Sequence, residues 1–159
     1  MEKYYEIKIN SLWKPAKAHI TEDNIETFYY LKNEQKILLD EFEKREINID
    51  SRYLKNLGFR YNKIRDCYLK EHIFIKQFKI IIEEPNMSNF YGYFISQVAD
   101  CNYYVHLKQQ LKKTNDLNIL IDKLILIKTT NQLFEVLKKD DYRLSFNAEE
   151  IMRKSYYAI

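Results

Sequence analysis

Apolar and polar residues alternate at the start of the chain. Tyr5, Ile7 and Ile9 are separated by charged residues, a spacing that puts the apolar side chains on one face of a strand. Pro15 follows shortly, and because proline lacks a backbone N–H, we expect it in the connection after this strand. The chain is therefore predicted to open with a half-buried strand.

The next segment has the spacing of an amphipathic helix. From Asn24 to about Glu46, apolar residues recur at helical intervals, and Asp23 with Glu26 three residues later favours a capping box. The first third, Ile25–Leu31, is rich in β-branched and aromatic residues, so a strand there is a second interpretation. The pattern leaves both interpretations open.

A short helix and a hairpin are predicted after this segment. Ser51–Leu57 is predicted to be a helix that ends at Gly58, because glycine readily adopts the left-handed conformation found after helices. Phe59–Asn62 and Cys67–Lys70 then predict a hairpin with Lys63–Arg65 at its turn.

The middle of the chain predicts two longer strands. Ile73–Ile82 is apolar on both faces, which is typical of a central strand covered on two sides, and Tyr91–Val98 is the second strand. Glu83–Asn89 has the composition of a loop between them. The segment from Asn102 to Ile127 fits both helix and strand, although its last residues favour the end of a strand.

Helix signals return in the C-terminal part. Thr130 is a candidate cap for one helix, and Asn147 with Glu150 favours a capping box for a C-terminal helix. Between them, Tyr142–Phe146 alternates like a strand. Because no linker interrupts the chain, residues 1–159 are predicted to form a single α+β domain, in which helices pack against a small antiparallel sheet.

Composition and charge exclude several classes of protein. Because the chain contains only two glycines, it has neither a P-loop nor a dinucleotide-binding fingerprint. The net charge of +3 excludes an acidic mimic of DNA, and lysine outnumbers arginine 20 to 6, which is not typical of base recognition. The absence of a secretory signal and of a long apolar stretch predicts a cytoplasmic protein without membrane contact. No enzyme and no cofactor are predicted.

A near-repeat uses both cysteines of the chain. Residues 66–72 and 100–106 each read Asp-Cys, four residues, His, and the candidate ligands are Cys67, His72, Cys101 and His106. These are right in number and type for a tetrahedral zinc site, and a thiol nucleophile beside a histidine is a weaker candidate. Zinc motifs usually place two ligands two to four residues apart. Buried cysteines with surface histidines are therefore the preferred interpretation, and no metal is predicted.

Aromatic and basic residues are interleaved along the predicted hairpin. Arg60, Tyr61, Lys63, Arg65 and Tyr68 can stack nucleic-acid bases and neutralise phosphates. In the alternative interpretation the aromatic residues face the core and the basic residues face water. The weak overall charge favours this alternative.

Two further aromatic groups are candidates for partner contact. One lies next to turn residues before the second long strand, and the other lies near the C-terminus, where two adjacent tyrosines cannot both face the core from one helix. Tyrosine, phenylalanine and methionine are enriched in interface cores. The predicted contact residues are Met87, Phe90, Tyr91, Tyr93, Tyr156 and Tyr157. For Phe90 and Tyr93, the alternative is that they begin a buried strand.

The chain as a whole, from the segment Tyr4–Trp13 onward, resembles the anti-CRISPR inhibitors of type II-A RNA-guided endonucleases, small proteins of phages and mobile elements. The resemblance implies a stoichiometric, non-enzymatic inhibitor that acts in the bacterial cytoplasm. Its partner would be the guide-loaded endonuclease, with only indirect contact to guide RNA or DNA.

The charge of the chain bears on the mechanism that this resemblance implies. Some members of the group mimic DNA, and others hold the HNH nuclease domain away from its target strand. Because a chain of net charge +3 is a poor DNA mimic, we expect the HNH domain to be held. The alternative function is a nucleic-acid-binding accessory protein of a phage or mobile element that uses the hairpin.

Overall fold

The computed structural model describes residues 1–38, 42–80, 90–97, 125–139, 142 and 144–157. Within these residues, ten strands form two antiparallel sheets of five strands each, accompanied by three helices. The predicted α+β class is therefore confirmed. None of the helices in the described ranges is long and apolar enough to cross a membrane.

Sheet 1 is formed by the N-terminal residues. Its strands are β1 (Glu2–Ile9), β2 (Leu12–Ile20), β3 (Glu26–Tyr30), β4 (Lys36–Ile37) and β5 (Lys44–Glu46), in the order β4-β3-β2-β1-β5. The predicted opening strand is thus confirmed. β1 and β2 are joined by Asn10 and Ser11, whose φ angles of 50° and 67° are those that a two-residue hairpin turn needs.

Pro15 lies within β2, so its predicted place in a connection is wrong. It stands opposite Glu6 of β1, and its carbonyl accepts a hydrogen bond from the Leu31 N–H at 3.2 Å. In an antiparallel pair the N–H and C=O of one residue point to the same side. The β2–β3 ladder starts at Ala16, one residue after Pro15. The N–H that proline lacks would therefore point toward β3 just outside this ladder, where its loss is tolerated.

The helix predicted over residues 24–46 is wrong, and its predicted capping box has no helix to cap. The alternative interpretation is correct for the first part, because Glu26–Tyr30 forms β3. Asn24 and Glu34 have φ angles of 61° and 60°, which a right-handed helix cannot contain. Pairing with β2 buries Phe28, so a long-range contact outweighs the local helical spacing.

The helix α1 (Ser51–Asn56) ends as predicted at Gly58, which has a φ angle of 94°. The Gly58 N–H donates to the Lys55 carbonyl at 2.9 Å, and the Phe59 N–H donates to the Leu54 carbonyl at 3.0 Å. This pair of hydrogen bonds is a Schellman motif, which satisfies the last carbonyls of the helix.

Sheet 2 contains the remaining strands. They are β6 (Arg60–Asn62), β7 (Cys67–Lys70), β8 (Ile73–Ile80), β9 (Phe90–Gln97) and β10 (Ile125–Ile127), in the order β10-β9-β8-β7-β6. The predicted hairpin and the central position of β8 are confirmed. At the end of the segment for which helix and strand were both open, Ile125–Ile127 is a strand. The loop predicted over residues 83–89, and most of the ambiguous segment, lie outside the described residues.

Two helices follow sheet 2, and both begin at a capped residue. The helix α2 (Thr130–Leu137) is capped by Thr129, one residue before the predicted cap, through reciprocal hydrogen bonds with Gln132. The helix α3 (Ala148–Tyr156) is capped as predicted by Asn147, whose side chain accepts from the Glu150 N–H. Both caps satisfy N–H groups that the first helical turn leaves open.

The strand predicted over Tyr142–Phe146 is wrong in the part that the structure describes. The Tyr142 N–H donates to the Lys139 carbonyl at 3.0 Å, in a turn after α2, and residues 144–146 are not in a strand. The Phe146 ring centroid lies 5.4 Å from that of Phe134 in α2. Phe146 therefore reaches the core by packing against α2, and not as part of a strand.

One hydrophobic core connects both sheets and all three described helices. Its buried members include Tyr4 and Leu31 from the sheet 1 region, Ile73, Ile75 and Ile95 from sheet 2, and Tyr53, Leu133 and Met152 from the helices. Two backbone hydrogen bonds, from the Ile49 N–H to the Lys128 carbonyl and from the Thr130 N–H to the Ile47 carbonyl, join the segment that follows β5 to the start of α2. A smaller cluster around Tyr5 and Phe28 lies apart from this main core.

The side chain of Asn131 extends the hydrogen bonding of β1. Its Oδ1 accepts from the Tyr4 N–H at 2.9 Å, and its Nδ2 donates to the Tyr4 carbonyl at 2.8 Å and to Glu46 at 3.1 Å. The ladder between β1 and β5 stops at Tyr5. The amide therefore takes the place of a further strand residue at this edge.

Candidate functional site

Trp13, in sheet 1, packs against an arginine. The antiparallel register places Trp13 of β2 opposite Lys8 of β1, and Arg45 of β5 opposite Glu6 of β1. The guanidinium carbon of Arg45 lies 4.1 Å from the Trp13 ring centroid, and Arg45 Nε donates to Glu6 Oε1 at 3.1 Å. Lys8 Nζ lies 5.9 Å from the same centroid. The indole ring therefore contacts two cations, of which Arg45 is the closer.

Arg52 forms a second contact of this kind, between α1 and α3. Asp50, the N-cap of α1, accepts hydrogen bonds from Arg52 Nε at 3.1 Å and from Nη2 at 2.8 Å. Arg52 Nη1 donates to the Ser155 carbonyl of α3 at 3.2 Å. The guanidinium carbon lies 5.4 Å and 5.6 Å from the ring centroids of Tyr53 and Tyr156. These contacts fix the side chain, although 54% of it is exposed.

Tyr53 is the buried base of this second contact. It is fully buried, and its ring centroid lies 6.4 Å from that of Tyr156. Burial is the main cause that raises the pKa of both tyrosines, and the negative charge of Glu6 raises it further. Both phenol groups therefore remain uncharged at neutral pH.

Glu6 belongs to the first arginine contact, and its charge also acts on the second. Its carboxylate accepts a hydrogen bond from Arg45, and its charge contributes to the raised pKa of Tyr156, after burial. We name these two contacts together, Trp13 with Arg45 and Glu6, and Arg52 with Tyr156, the aromatic–arginine surface. Tryptophan, tyrosine and arginine are the residue types that most often dominate the binding energy of protein interfaces. The arrangement is thus suited to protein recognition.

Tyr156 and Tyr157 both pack against the main core, but they do not do so from one helix. α3 ends at Tyr156, and the backbone of Tyr157 is extended, with φ −122° and ψ 94°. Because the helix stops between them, the two side chains are not bound to the spacing of one helical face. Their ring centroids lie 6.4 Å apart, and burial raises the pKa of Tyr157.

The other predicted partner contacts lie in or before β9. Tyr93 is half-buried and packs against the main core, which agrees with the alternative interpretation of a buried strand. Phe90 and Tyr91 are the first residues of the same strand. The side chains of these two residues, and the whole of Met87, lie outside the described part of the chain.

Sequence reasoning missed four residues of the aromatic–arginine surface, namely Glu6, Trp13, Arg45 and Arg52. Their contacts join positions far apart in the chain, such as Arg45 with Glu6 and Arg52 with Ser155. One available signal was the tryptophan itself, since the whole chain contains only one tryptophan. A single tryptophan near a basic residue is an interface candidate by type, but its arginine partner depends on strand register.

The described half of the Cys–His repeat places its two residues at opposite ends of β7. Cys67 is buried at the start of the strand, and His72 is exposed in the turn after it. Among the residues that the structure describes, no group of three His, Cys, Asp or Glu side chains could hold a metal. Cys101 and His106 lie outside the described residues.

Two adjoining clefts lie between β1 and the helices α2 and α3. Their volumes are about 520 and 470 Å³, and both are lined by Met1, Glu2, Tyr4, Lys138 and Ala148. Glu149, in the larger cleft, accepts from Lys17 at 3.1 Å and from Arg153 at 3.2 Å. Burial alone would raise the pKa of Glu149, but these hydrogen bonds outweigh burial and lower it. The carboxylate is therefore an ion-pair partner and a poor proton donor.

Comparison with known proteins finds no relative: no family model, no curated protein and no solved structure matches this chain. The geometry of the surface is therefore the basis for a functional proposal.

Proposed function

We propose that this chain is a stoichiometric, non-enzymatic inhibitor of a type II-A RNA-guided CRISPR endonuclease, and that it acts by holding the HNH nuclease domain. The supporting observation is the pair of contacts in the aromatic–arginine surface, Arg45 against Trp13 in sheet 1 and Arg52 against Tyr156 between α1 and α3. The family resemblance supplies the identity of the partner.

The two arginines of this surface are held in place within the chain itself. Glu6 fixes Arg45, while Asp50 and the Ser155 carbonyl fix Arg52. Immobilising a long side chain on binding costs about 0.5–1.5 kcal/mol. A surface whose arginines are already fixed avoids much of this cost, which favours tight association with a protein partner.

The charges of the surface suit contact with a protein partner. They do not suit a mechanism in which the chain mimics DNA. Arg45 is paired with Glu6 and Arg52 with Asp50, so cations and carboxylates alternate across the surface. A DNA mimic needs a continuous negative surface, which neither this region nor the net charge of +3 provides. Target cleavage depends on docking of the HNH domain, so a protein bound there blocks cutting while DNA binding continues.

The test combines co-purification with two assays of the guide-loaded endonuclease. The tagged chain should co-purify with the endonuclease, abolish target cleavage at equimolar ratio, and leave DNA binding intact in a mobility-shift assay. Replacing Trp13 and Arg52 together by alanine should abolish both association and inhibition. Matched controls are Leu12→Ala and Lys154→Ala, because Leu12 is exposed next to Trp13 in the chain, and Lys154, also exposed, pairs with Glu150 instead of with a residue of the surface.

The outcomes separate mechanism from identity. Loss of DNA binding would place the contact in the channel that reads the protospacer-adjacent motif, and would overturn the HNH mechanism. Absence of association with several type II-A orthologues would overturn the proposed function. If the controls lose inhibition as the double variant does, the aromatic–arginine surface is not the contact.

A further inference from the structure

The region of the β6–β7 hairpin and the first half of β8 carries the net positive charge of the chain. Residues 60–76 contain five cations and two carboxylates, namely Arg60, Lys63, Arg65, Lys70 and Lys76 against Asp66 and Glu71. Their net charge of +3 equals that of all 159 residues, so the rest of the chain is balanced. A local excess of this kind is the electrostatic feature of a surface that binds a polyanion.

Hydrogen bonds hold the backbone of the hairpin turn, which carries Lys63 and Arg65. Asn62 Oδ1 accepts from the N–H groups of Ile64 and Arg65 at 3.0 and 3.1 Å, and Lys76 Nζ donates to the Arg65 carbonyl at 3.3 Å. In the described part of the chain, no carboxylate forms an ion pair with Arg65 or Lys63. Both charges are therefore available to a ligand.

An aromatic ring stands beside these cations. Tyr61 lies on β6, the edge strand of sheet 2, and remains 49% exposed. Its ring centroid is 5.2 Å from that of Tyr68, its partner across the hairpin, and its hydroxyl donates to the Asp66 carboxylate. These two contacts hold the ring while about half of the residue stays open to a ligand.

We propose that this hairpin binds single-stranded nucleic acid. A base stacks on Tyr61, the phosphates of the strand bind Lys63 and Arg65, and Ile64, which is 97% exposed, packs against a neighbouring base. A tyrosine ring can stack only on a base whose face is open, so a single strand fits this surface better than a duplex. The proposal does not depend on the endonuclease.

Fluorescence anisotropy with labelled oligothymidylate and oligouridylate of about 20 nucleotides tests this proposal, because one such site spans about 4–16 nucleotides. A labelled duplex of equal length is the comparison. Single strands should bind more tightly than the duplex, and the affinity should fall steeply between about 50 and 200 mM salt. Tyr61→Ala should weaken binding by about 5- to 150-fold, whereas Tyr61→Phe, which keeps the ring, should bind nearly as well.

A pair of charge variants tests the phosphate contacts. Replacing Lys63 and Arg65 by glutamine should reduce the salt slope by about 1.4, since each phosphate contact to a single strand contributes about 0.7. The matched control replaces Lys32 and Lys36, two exposed lysines of the sheet 1 region, and removes the same charge. Circular dichroism should show that all variants keep the native fold.

Three results would overturn the proposal. They are absence of single-strand binding at about 50 mM salt, unchanged affinity in Tyr61→Ala, and equal losses in the Lys63/Arg65 and Lys32/Lys36 variants. Tighter binding of the duplex would also contradict it, because stacking on Tyr61 would then not be the basis of the contact.

Discussion

The aromatic–arginine surface and the β6–β7 hairpin combine the same residue types in different electrostatic states. In the first, the guanidinium groups of Arg45 and Arg52 each pair with a carboxylate and lie against a ring. On the hairpin, Arg65 forms no ion pair with any residue in the described ranges. Paired arginines present a fixed shape of mixed charge, which suits a protein, whereas unpaired ones present net charge, which suits a polyanion.

The two regions also differ in how their tyrosines relate to the core. Tyr53, beneath Arg52, is fully buried, whereas Tyr61 on the hairpin is 49% exposed. The aromatic–arginine surface is thus continuous with the core, and changes to its base should affect folding. The hairpin face can be altered with little effect on stability.

The largest difference between the regions should follow from removing one tyrosine from each. Tyr53→Ala leaves a cavity in the main core and removes a ring from Arg52, so we expect a loss of about 3–5 kcal/mol in unfolding free energy. Tyr61→Ala should cost less than about 1 kcal/mol, because its ring is half exposed. Urea denaturation measures both. Similar losses in the two variants would contradict the comparison.

Alkaline pH should weaken the packed region next. Burial raises the pKa of Tyr4, Tyr53 and Tyr156 above the ordinary value of 10.0. The unfolded chain releases these protons first, so stability is unaffected below pH 10 and falls above it, by up to about 1.4 kcal/mol per pH unit per tyrosine. Urea denaturation between about pH 8 and pH 11 should show this fall.

The control for the alkaline fall is Tyr53→Phe, which keeps the ring and removes the titrating group. This variant should show a shallower fall above pH 10 than the native chain. If the native chain lost as much stability well below pH 10 as above it, titration of the buried phenol groups would not be the cause of the loss.

Arg52→Ala should have a smaller effect, of about 1 kcal/mol. The change removes hydrogen bonds to Asp50 and to the Ser155 carbonyl, but the side chain is 54% exposed, which limits their worth. Arg52→Lys should not restore stability, because an ammonium group lacks the planar set of N–H donors with which the guanidinium bonds to Asp50 and to the Ser155 carbonyl. Arg60→Ala on the hairpin is the control, and a loss greater than about 0.5 kcal/mol there would be unexpected.

The smallest stability effect is expected for Arg45→Ala, at about 0.5–1 kcal/mol. Its clearest signal is optical. Because Trp13 is the only tryptophan of the chain, tryptophan fluorescence reports on this residue alone. Removing the guanidinium, whose carbon lies 4.1 Å from the ring centroid, should expose the indole and shift its emission to longer wavelength. Arg65→Ala should leave the spectrum unchanged. An identical spectrum in Arg45→Ala would mean that the stack does not persist in solution.

Local signals predicted the elements that local contacts define. Gly58 ends α1 and Asn147 caps α3, and in both cases the hydrogen bonds join residues within a few positions of each other. The helix predicted over residues 24–46 failed for the opposite reason. Its apolar spacing is helical, but pairing of β3 with β2 decides the structure, and that pairing depends on residues elsewhere in the chain.

The same reason limited the prediction of the site. Tyr156, which was predicted as a partner contact from its residue type, belongs to the aromatic–arginine surface. The stack of Arg45 on Trp13 requires β1 to pair with both β2 and β5. The two-residue turn sets the register of β1 with β2, but the pairing of β5 with β1 joins residues 39 positions apart, which no local spacing specifies. The charge excess over residues 60–76 was visible in the sequence, although the exposed ring beside it was not.

The amide of Asn131 has a consequence for how copies of this protein meet. An unoccupied strand edge is a template on which strands of other molecules can add, and such addition is a common start of aggregation. At Tyr4, beyond the end of β5, both backbone groups that would accept such a strand are bonded to Asn131 in α2. A helix side chain thus removes an intermolecular docking position from the sheet.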